Sequence, residues 1–367
     1  MGTGSTGTSV FSYLPLLFLF LILISGCLHS SSPKNLAGSA PERFMNLTEI
    51  RLTSNTSFDT VPRISPDGSK IVFSSRKLGD KPDKFDIYAL DIKTGDLKRL
   101  TFDRNFNWAP EWSPDSTKIV FTSNASGNLD IWIINADGSG KKRLTFSDSQ
   151  DFSPCWNPDG TAIAFVSTRT GNADIWILNL SENSLIRVTT SDSTEASPVW
   201  SSDGRKIAYI SNMSGTFDLW LIELGGMRKR LLTSGIPNVQ NPVWSPDGNK
   251  IVFESFQPFS DMEGGNTDIW IVYLNGNGPV RLTSNETYDG QPSWSRDGER
   301  LVFVSARSGN ADIWIMRSDG RDKTRIASSE SEEYYPQFAL NDSIIFTRDY
   351  KYSRDIWILR IRGDDSQ

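Results

Sequence analysis

Residues 110–145 read PEWSPDSTKIVFTSNASGNLDIWIINADGSGKKRLT, and this stretch decides the fold. Segments 118–123 and 130–134 are short runs of β-branched and aromatic residues, which favour strands. Ser-Pro-Asp ahead of the first run is typical of a tight turn. No part of the stretch shows the period of an amphipathic helix. The stretch therefore predicts four short antiparallel strands, the last of them at Arg143-Leu144-Thr145.

The same patterns return in the same order along the chain. Asp-Ile-Trp, or a close variant, begins at Asp86, Asp130, Asp174, Asp218, Asp268, Asp312 and Asp355, with spacings of 44, 44, 44, 50, 44 and 43 residues. A full or degraded Pro-x-Trp-Ser-Pro-Asp-Gly precedes each copy, and Arg-Leu-Thr or a variant of it follows six of them. We number the copies as units 1 to 7. Four antiparallel strands in about 44 residues are typical of a β-propeller blade.

The order of the patterns also predicts how the ring closes. The seventh Asp-Ile-Trp copy has no Arg-Leu-Thr after it, whereas residues 50–53 place such a strand ahead of unit 1. We therefore predict an all-β fold, a seven-bladed β-propeller with four antiparallel strands per blade, in which the N-terminal strand closes the last blade. The alternative is six blades and a partial unit.

The N-terminal residues predict targeting rather than a folded domain. Residues 14–24 form an apolar run of the length found in secretory signal peptides. Ile24-Ser25-Gly26-Cys27 resembles the lipobox of secreted lipoproteins, which implies lipidation of Cys27. An uncleaved membrane anchor is the alternative. Either one predicts an extracytoplasmic, membrane-anchored protein at the cell surface or in the periplasm. The predicted segments are a signal peptide or anchor over 1–27, a flexible linker over 28–48, the propeller over 49–362 and a tail over 363–367.

Composition argues against several functions. The 367 residues include 38 Lys and Arg and 44 Asp and Glu, so the net charge of −6 argues against nucleic-acid binding. The single histidine, His29, lies in the predicted linker, so we expect neither a His-based triad nor a His-containing metal site in the repeats. Two cysteines are too few for a disulfide scaffold. We expect a monomer without a cofactor, with Ca²⁺ as the alternative.

The three patterns together resemble the TolB-type propeller repeat, also called the PD40 or WD40-like repeat, over residues 49–362. The resemblance implies the propeller and leaves the activity open. The α/β domain that precedes the propeller in the TolB family is longer than the segment available here. Related repeats form the propellers of prolyl oligopeptidase-like peptidases and oligogalacturonate lyases. The peptidases need a GxSxG motif and a catalytic His, and the lyases use His at a metal site. The repeats contain no GxSxG motif and no His, so we expect no enzyme.

Residues that repeat in every unit are expected to be structural. The Trp residues should pack between blades, and the Asp of Asp-Ile-Trp should pair with the Arg of Arg-Leu-Thr. Function is expected where the units differ. The residue after the proline that starts each unit varies most, and we expect it to line the channel, with Arg63 and Glu111 forming a pair. These channel residues are Arg63, Glu111, Cys155, Val199, Val243, Ser293 and Gln337.

Carboxylates recur three positions before that proline. Five units carry one there: Asp59, Asp151, Glu195, Asp289 and Glu333. One side of the disc, here called the loop side, should carry the connections between units and those between the second and third strands of each unit. On that side the carboxylates would form an acidic rim that attracts a basic peptide, a cationic ligand or Ca²⁺. The alternative is that they accept hydrogen bonds from backbone N–H groups of the loops.

Aromatic residues and two insertions add candidate contacts on the same side. The insertions lie in residues 76–85 of unit 1 and 256–267 of unit 5. Such side chains are enriched at interfaces. The candidate aromatic contacts are Trp108, Phe152, Phe256, Phe259, Tyr334 and Tyr335.

These features predict a membrane-tethered extracytoplasmic propeller that acts as a protein- or ligand-binding or scaffold module, with a protein or peptide partner at the cell envelope. One alternative is a glycan- or peptide-active enzyme that uses channel carboxylates such as Asp151 and Glu195 as acid and base. The other is a structural component of the envelope.

Overall fold

A computed structural model describes residues 47–103, 105–258 and 265–361. The described chain is built of strands, with a short 3-10 helix at Leu340–Asp342. The predicted all-β propeller is confirmed. Cys27, most of the predicted linker, Phe259 and the predicted tail lie outside the described residues.

The strands follow one another in the order that the repeat predicts. They are β1 (Leu47–Arg51), β2 (Ser57–Ile64), β3 (Lys70–Lys77), β4 (Asp86–Asp91), β5 (Leu97–Arg99), β6 (Asn107–Trp112), β7 (Lys118–Ser123), β8 (Asp130–Asn135), β9 (Lys142–Arg143), β10 (Asp151–Trp156), β11 (Ala162–Ser167), β12 (Asp174–Asn179), β13 (Ser184–Arg187), β14 (Glu195–Trp200), β15 (Lys206–Ser211), β16 (Asp218–Glu223), β17 (Arg228–Leu231), β18 (Val239–Trp244), β19 (Lys250–Pro258), β20 (Gly265–Tyr273), β21 (Pro279–Arg281), β22 (Asp289–Trp294), β23 (Arg300–Ser305), β24 (Asp312–Arg317), β25 (Thr324–Ala327), β26 (Glu333–Phe338), β27 (Ile344–Tyr350) and β28 (Ser353–Ile361).

The prediction of seven four-stranded blades is wrong. The described strands form five four-stranded blades, one from each of units 2 to 6, and one eight-stranded sheet that joins units 1 and 7. The two units meet where Phe58 of β2 pairs in parallel with Arg354 of β28. The hairpin of β27 and β28 continues for two residue pairs beyond Arg348↔Asp355, which brings Arg354 beside β2. The repeat pattern counts units and carries no information on this contact.

The N-terminal strand lies at the edge of the eight-stranded sheet. Strand β1 pairs antiparallel with β28, from Leu47↔Ile361 to Arg51↔Trp357. It begins three residues earlier than the strand predicted at 50–53. The N-terminal and C-terminal strands are thus hydrogen-bonded to each other, which covers one edge of β28.

The first strands of the units enclose the channel. Strands β2, β6, β10, β14, β18, β22 and β26 contact one another in this order, and β26 contacts β2. Each has a bulge beside its proline, as between Trp108 and Glu111 in β6. The residue before the proline has a positive φ, 50° at Ala109 and 54° at Tyr335. A bulge suits proline because proline has no N–H to donate to the next strand.

Tryptophan residues link four of the described units to the unit before each of them. Trp112 is 5% exposed, and its Nε1 donates to the carbonyl oxygen of Arg63 in unit 1 at 3.0 Å. Trp156 Nε1 donates in the same way to the carbonyl oxygen of Glu111 at 3.3 Å. The predicted core role is confirmed for Trp112 and Trp156, whereas the tryptophans of the Asp-Ile-Trp pattern are half-buried. Within the described ranges, no helix is long and apolar enough to cross a membrane.

Candidate functional site

The Asp of Asp-Ile-Trp is a structural residue. In unit 2, Arg143 Nη2 lies 2.8 Å from Asp130 Oδ2, and Thr145 Oγ1 donates to Asp130 Oδ1 at 3.2 Å. The backbone N–H of Ile131 donates in turn to Thr145 Oγ1 at 3.0 Å. The predicted ion pair is confirmed in six units; the other five pairs are Arg99–Asp86, Arg187–Asp174, Arg281–Asp268, Arg325–Asp312 and Arg51–Asp355.

Unit 4 departs from this arrangement. Leu231 lies opposite Trp220, where the other units place the arginine. Asp218 is buried and accepts hydrogen bonds from Thr233 Oγ1, at 3.1 Å, and from Ser214 Oγ. Hydroxyl groups therefore satisfy this carboxylate without a cation.

The predicted acidic rim is wrong as a surface feature. The five carboxylates are buried: Asp59, Asp151, Glu195, Asp289 and Glu333 are 0 to 1% exposed. Each lies in the first strand of its unit and pairs with a residue near the end of the second strand, as in Glu195↔Ser211. This register turns the carboxylates into the blades rather than towards the channel mouth. A role in binding stays a prediction for them.

Partners within each unit donate to these carboxylates, although among the described residues one oxygen each of Asp59 and Glu195 has no hydrogen-bond partner. Arg169 Nη2 donates to both oxygens of Asp151, at 3.0 and 2.9 Å. Glu195 Oε1 accepts from Ser191 Oγ at 2.7 Å and from Ser211 Oγ at 2.9 Å. Asp151 and Glu195 thus face their own units, which does not suit the acid–base pair considered above. In the described part of the chain, no three or more His, Cys, Asp or Glu side chains are grouped to hold a metal ion.

The other three carboxylates are held in the same way, by a serine or an arginine. Ser75 Oγ donates to Asp59 Oδ1 at 2.6 Å, and burial raises the pKa of Asp59 to about 6. Arg307 Nη2 donates to both oxygens of Asp289 at 3.0 Å. Arg348 Nε donates to Glu333 Oε1 at 2.8 Å, yet burial still raises the pKa of Glu333 to about 7.

The aromatic residues of units 1 and 2 form a cluster on the loop side. The rings of Phe85 and Trp108 are 4.9 Å apart, and those of Phe106 and Trp108 are 5.7 Å apart. The Arg76 guanidinium carbon lies 4.8 Å from the Phe58 ring centroid and 5.7 Å from that of Phe85. Of these residues, sequence reasoning singled out Trp108. The insertion at 76–85 was the available signal, since Arg76 and Phe85 are its two ends.

A second aromatic group lies in unit 7. The rings of Tyr334 and Tyr335 are 6.3 Å apart, and the Arg354 guanidinium carbon lies 4.9 Å from the Tyr334 ring centroid. Both tyrosines are half-buried. Phe152 of unit 3 is buried. Of the predicted aromatic contacts, Trp108 and Phe152 are thus buried, Tyr334, Tyr335 and Phe256 are half-buried, and Phe259 lies outside the described residues.

The loop side also carries a long hairpin in unit 5. Strands β19 and β20 continue for three pairs beyond Ser255↔Asp268, namely Phe256↔Thr267, Gln257↔Asn266 and Pro258↔Gly265. The corresponding ladder of unit 6 stops at Ser305↔Asp312. Phe256 is half-buried on this extension. The insertion predicted at 256–267 therefore lengthens the two middle strands of the blade.

Glu254 is a buried carboxyl group that sequence reasoning missed. Asn241 Nδ2 donates to its Oε1 at 3.0 Å, and the backbone N–H of Gln291 in unit 6 donates to the same oxygen at 2.8 Å. Burial raises the pKa of Glu254 to about 7. The corresponding position in the other units is Ser, Thr, Val or Ile, so an alignment of the second strands would have found this residue.

The residues after the prolines form a channel set, defined as Arg63, Glu111, Cys155, Val199, Val243, Ser293 and Gln337. All seven are half-buried. Glu111 interacts electrostatically with Arg63 of unit 1 and Cys155 of unit 3, as expected of side chains that meet inside the ring. The predicted pair is present as an electrostatic interaction but not as a direct contact, because Arg63 and Glu111, both in the described ranges, form no ion pair. Glu111 instead approaches Cys155 and the backbone N–H of Trp156.

Comparisons with solved structures agree with the propeller fold. TolB from Acinetobacter baumannii is 20% identical, with 82% of this chain and 68% of that chain covered and a TM-score of 0.54. Oligogalacturonate lyase from Vibrio parahaemolyticus is 13% identical, with 87% and 97% covered and a TM-score of 0.66. The β-propeller domain of the Trilobed protease from Pyrococcus furiosus is 17% identical, with 84% and 94% covered and a TM-score of 0.61. At these identities the similarity shows the fold alone.

Sequence comparison identifies the family. No curated protein matches the chain. The TolB beta propeller domain, PD40, matches residues 81–261 and 238–367, which together span most of the chain. The match includes units 2 to 7, with the long hairpin and most of the channel set. The chain belongs to the TolB β-propeller domain (PD40) family.

Proposed function

We propose that this protein is an extracytoplasmic propeller, tethered to a membrane through its N-terminus, that binds a protein or peptide partner at the cell envelope. The observation that carries the proposal is the irregularity of one side of the disc. The loop side bears the long hairpin of unit 5 and the aromatic groups around Trp108 and Tyr334. The opposite side bears turns of repeated geometry.

The opposite side of the disc, which carries the Asp-Gly turns, is the less suitable contact surface. In unit 2, Asp115 Oδ1 accepts from Ser113 Oγ at 2.5 Å and from the backbone N–H of Thr117 at 3.0 Å. The same contacts recur in unit 5 at Asp247, with Ser245 Oγ at 2.5 Å and the N–H of Asn249 at 3.1 Å. These aspartates satisfy their own turns, so a partner would find few unused polar groups there.

The five buried carboxylates fit a structural role better than a catalytic one. The buried carboxylates of the five units accept hydrogen bonds from serine or arginine side chains of their own unit. General acid–base catalysis needs a carboxyl group within reach of a substrate. The membrane tether rests on the lipobox-like sequence at Cys27 and on the apolar run before it.

Cross-linking in intact membranes tests the proposal. The protein carries a C-terminal tag, and mass spectrometry identifies cross-linked partners. In the test variant, residues 256–267 are replaced by ARSGNA, the short connection that unit 6 uses at Ala306–Ala311. The control variant is Arg296→Pro, which restores the common turn sequence on the other side.

We expect one reproducible partner in the wild type and in Arg296→Pro, and its loss in the hairpin replacement. Both variants should keep the wild-type melting temperature within a few degrees, since the replaced segments lie at the ends of blades. Retention of the partner without the hairpin would contradict the assignment of the contact side.

A further inference from the structure

The channel set is polar on one side and apolar on the other. Arg63 belongs to unit 1, and its neighbours in one direction are Gln337 of unit 7 and Ser293 of unit 6. Val199 and Val243 belong to units 4 and 5, three positions away from unit 1 in either direction around the ring of first strands. In the order of the ring, hydrogen-bond donors therefore lie opposite two aliphatic residues, which also pack against the hydrophobic core of the blades.

The Arg63 side chain has more hydrogen-bond donors than the one hydrogen bond below uses. Its Nη1 donates to the carbonyl oxygen of the adjacent Pro62 at 3.2 Å, and no carboxylate in the described ranges forms an ion pair with it. A guanidinium group carries five N–H donors. Burial lowers the pKa of Arg63, while Glu111 and Tyr335 act in the opposite direction. A confined cation without a paired anion is stabilised when an anion binds beside it.

Gln337 adds an oriented amide next to Arg63. Its Oε1 accepts a hydrogen bond from the backbone N–H of Ile64 at 2.8 Å. That bond fixes which end of the amide accepts and leaves Nε2 as a donor group. The Ser293 hydroxyl is a further donor in the next unit. Three consecutive units thus present donors to the channel.

We propose that the channel binds a carboxylate carried on a short apolar stem, with the carboxylate at Arg63 and Gln337 and the stem against Val199 and Val243. Arginine forms paired hydrogen bonds with a carboxylate, and the valines remove the stem from water. The bound carboxylate belongs either to a free short-chain acid or to the C-terminus of a partner chain that ends in an apolar residue. The second source rests on the proposed function, whereas the first does not.

Glu111 makes this binding depend on pH. It is approached by Arg63 from unit 1 and by Cys155 and Trp156 from unit 3, and burial raises its pKa to about 7. Above this pH the ionised Glu111 repels the ligand and attracts Arg63, whereas below it the group is neutral. Carboxylic acids with ordinary pKa values stay ionised between pH 6 and pH 8. Affinity should therefore rise as the pH falls through this range.

Titration calorimetry of the full chain in detergent tests the site. The probes are isovalerate and acetyl-Ala-Ala-Val, with isovaleramide and the C-terminally amidated peptide as neutral controls, at pH 6 and fixed ionic strength. We expect at least one acid to bind, its amide to bind at least tenfold more weakly, and Arg63→Gln to lose at least tenfold in affinity. The tighter of the two acids identifies the source. Equal affinity for acid and amide, or no binding of either acid, would overturn the proposal.

Two further variants test the same site even if Arg63→Gln does not fold. Glu111→Gln should bind at pH 8 as tightly as the wild type does at pH 6. Val199→Ser should weaken isovalerate at least threefold and leave acetate unchanged, because acetate has no stem to place against the valine. Unchanged isovalerate affinity in both variants at both pH values would also overturn the site. Isovalerate binding does not depend on the hairpin at 256–267, so this result is independent of the cross-linking outcome.

Discussion

The outer strands repeat one contact in nearly every unit, whereas the residues that line the channel differ from unit to unit. In the outer strands, six units place an arginine 2.5 to 3.2 Å from the same buried aspartate, and the seventh replaces the cation with hydroxyl groups. In the channel, seven equivalent positions carry six residue types. This contrast indicates that repeated residues hold the units together, whereas residues that differ between units determine what the protein binds.

The largest loss of stability is expected from a repeated tryptophan. Trp112→Ala removes a side chain that is 5% exposed and packs between units 1 and 2. We expect the free energy of unfolding in urea to fall by about 3 to 5 kcal/mol. Trp112→Phe keeps most of the packing and loses the hydrogen bond to the carbonyl of Arg63, for a cost of about 1 kcal/mol. Equal losses for the two variants would show that packing between units contributes little.

Stability should also fall between pH 5 and pH 8. Burial raises the pKa of Glu254 to about 7, from an ordinary value of 4.5. The folded protein therefore binds more protons than the unfolded chain between these values, so its stability decreases as the pH rises through them. Glu254→Gln removes this contribution and should reduce the decrease by up to about 3 kcal/mol, measured by urea unfolding at both pH values. A decrease of the same size in the variant would contradict the assigned pKa.

Units 2 and 4 offer a matched pair of aspartates. Asp130→Asn weakens the bond to Arg143 and should cost about 2 kcal/mol of unfolding free energy. Asp218→Asn leaves no arginine unpaired, because Leu231 occupies that position, and should cost about 1 kcal/mol less. Urea unfolding of the two variants measures the difference. A larger loss at Asp218 would mean that the arginine does not contribute to the repeated contact.

The smallest predicted effect is an increase in the free energy of unfolding. Leu231→Arg places an arginine opposite Trp220 in unit 4, in the register used by the other units. The new ion pair with Asp218 should add up to about 1 kcal/mol of stability, because the arginine stays partly exposed. Thermal unfolding detects this gain. A loss of stability would show that unit 4 has adapted its surroundings to leucine.

Much of the fold could be predicted from the repeat. The strand expected over residues 118–123 is β7, and the one expected over 130–134 lies within β8. The blade count failed because the long hairpin of β27 and β28 forms its own contact with β2, which a local pattern does not encode. The sequence also placed the unit 5 insertion correctly, although the extra strand pairs became visible only in the structure.

The candidate site was harder to predict, because exposure depends on register. The carboxylate at Glu195 recurs at an equivalent place in the sequence, which suggested a rim, yet it pairs with Ser211 and faces the blade. Arg63 and Glu111 were expected to form a pair from their positions alone, whereas side-chain geometry gives an electrostatic interaction without an ion pair. Glu254 was missed because it lies in a second strand, outside the loops and first-strand positions where function was expected.

The most direct test of this account compares two arginines in the same protein. Arg143→Gln alters a repeated outer contact, and Arg63→Gln alters the channel. For each variant, urea unfolding and calorimetry with both carboxylate probes at pH 6 give stability and affinity. We predict that Arg143→Gln loses stability and keeps affinity, while Arg63→Gln keeps stability and loses at least tenfold in affinity. The reverse pattern, or equal effects of the two substitutions on both quantities, would contradict it.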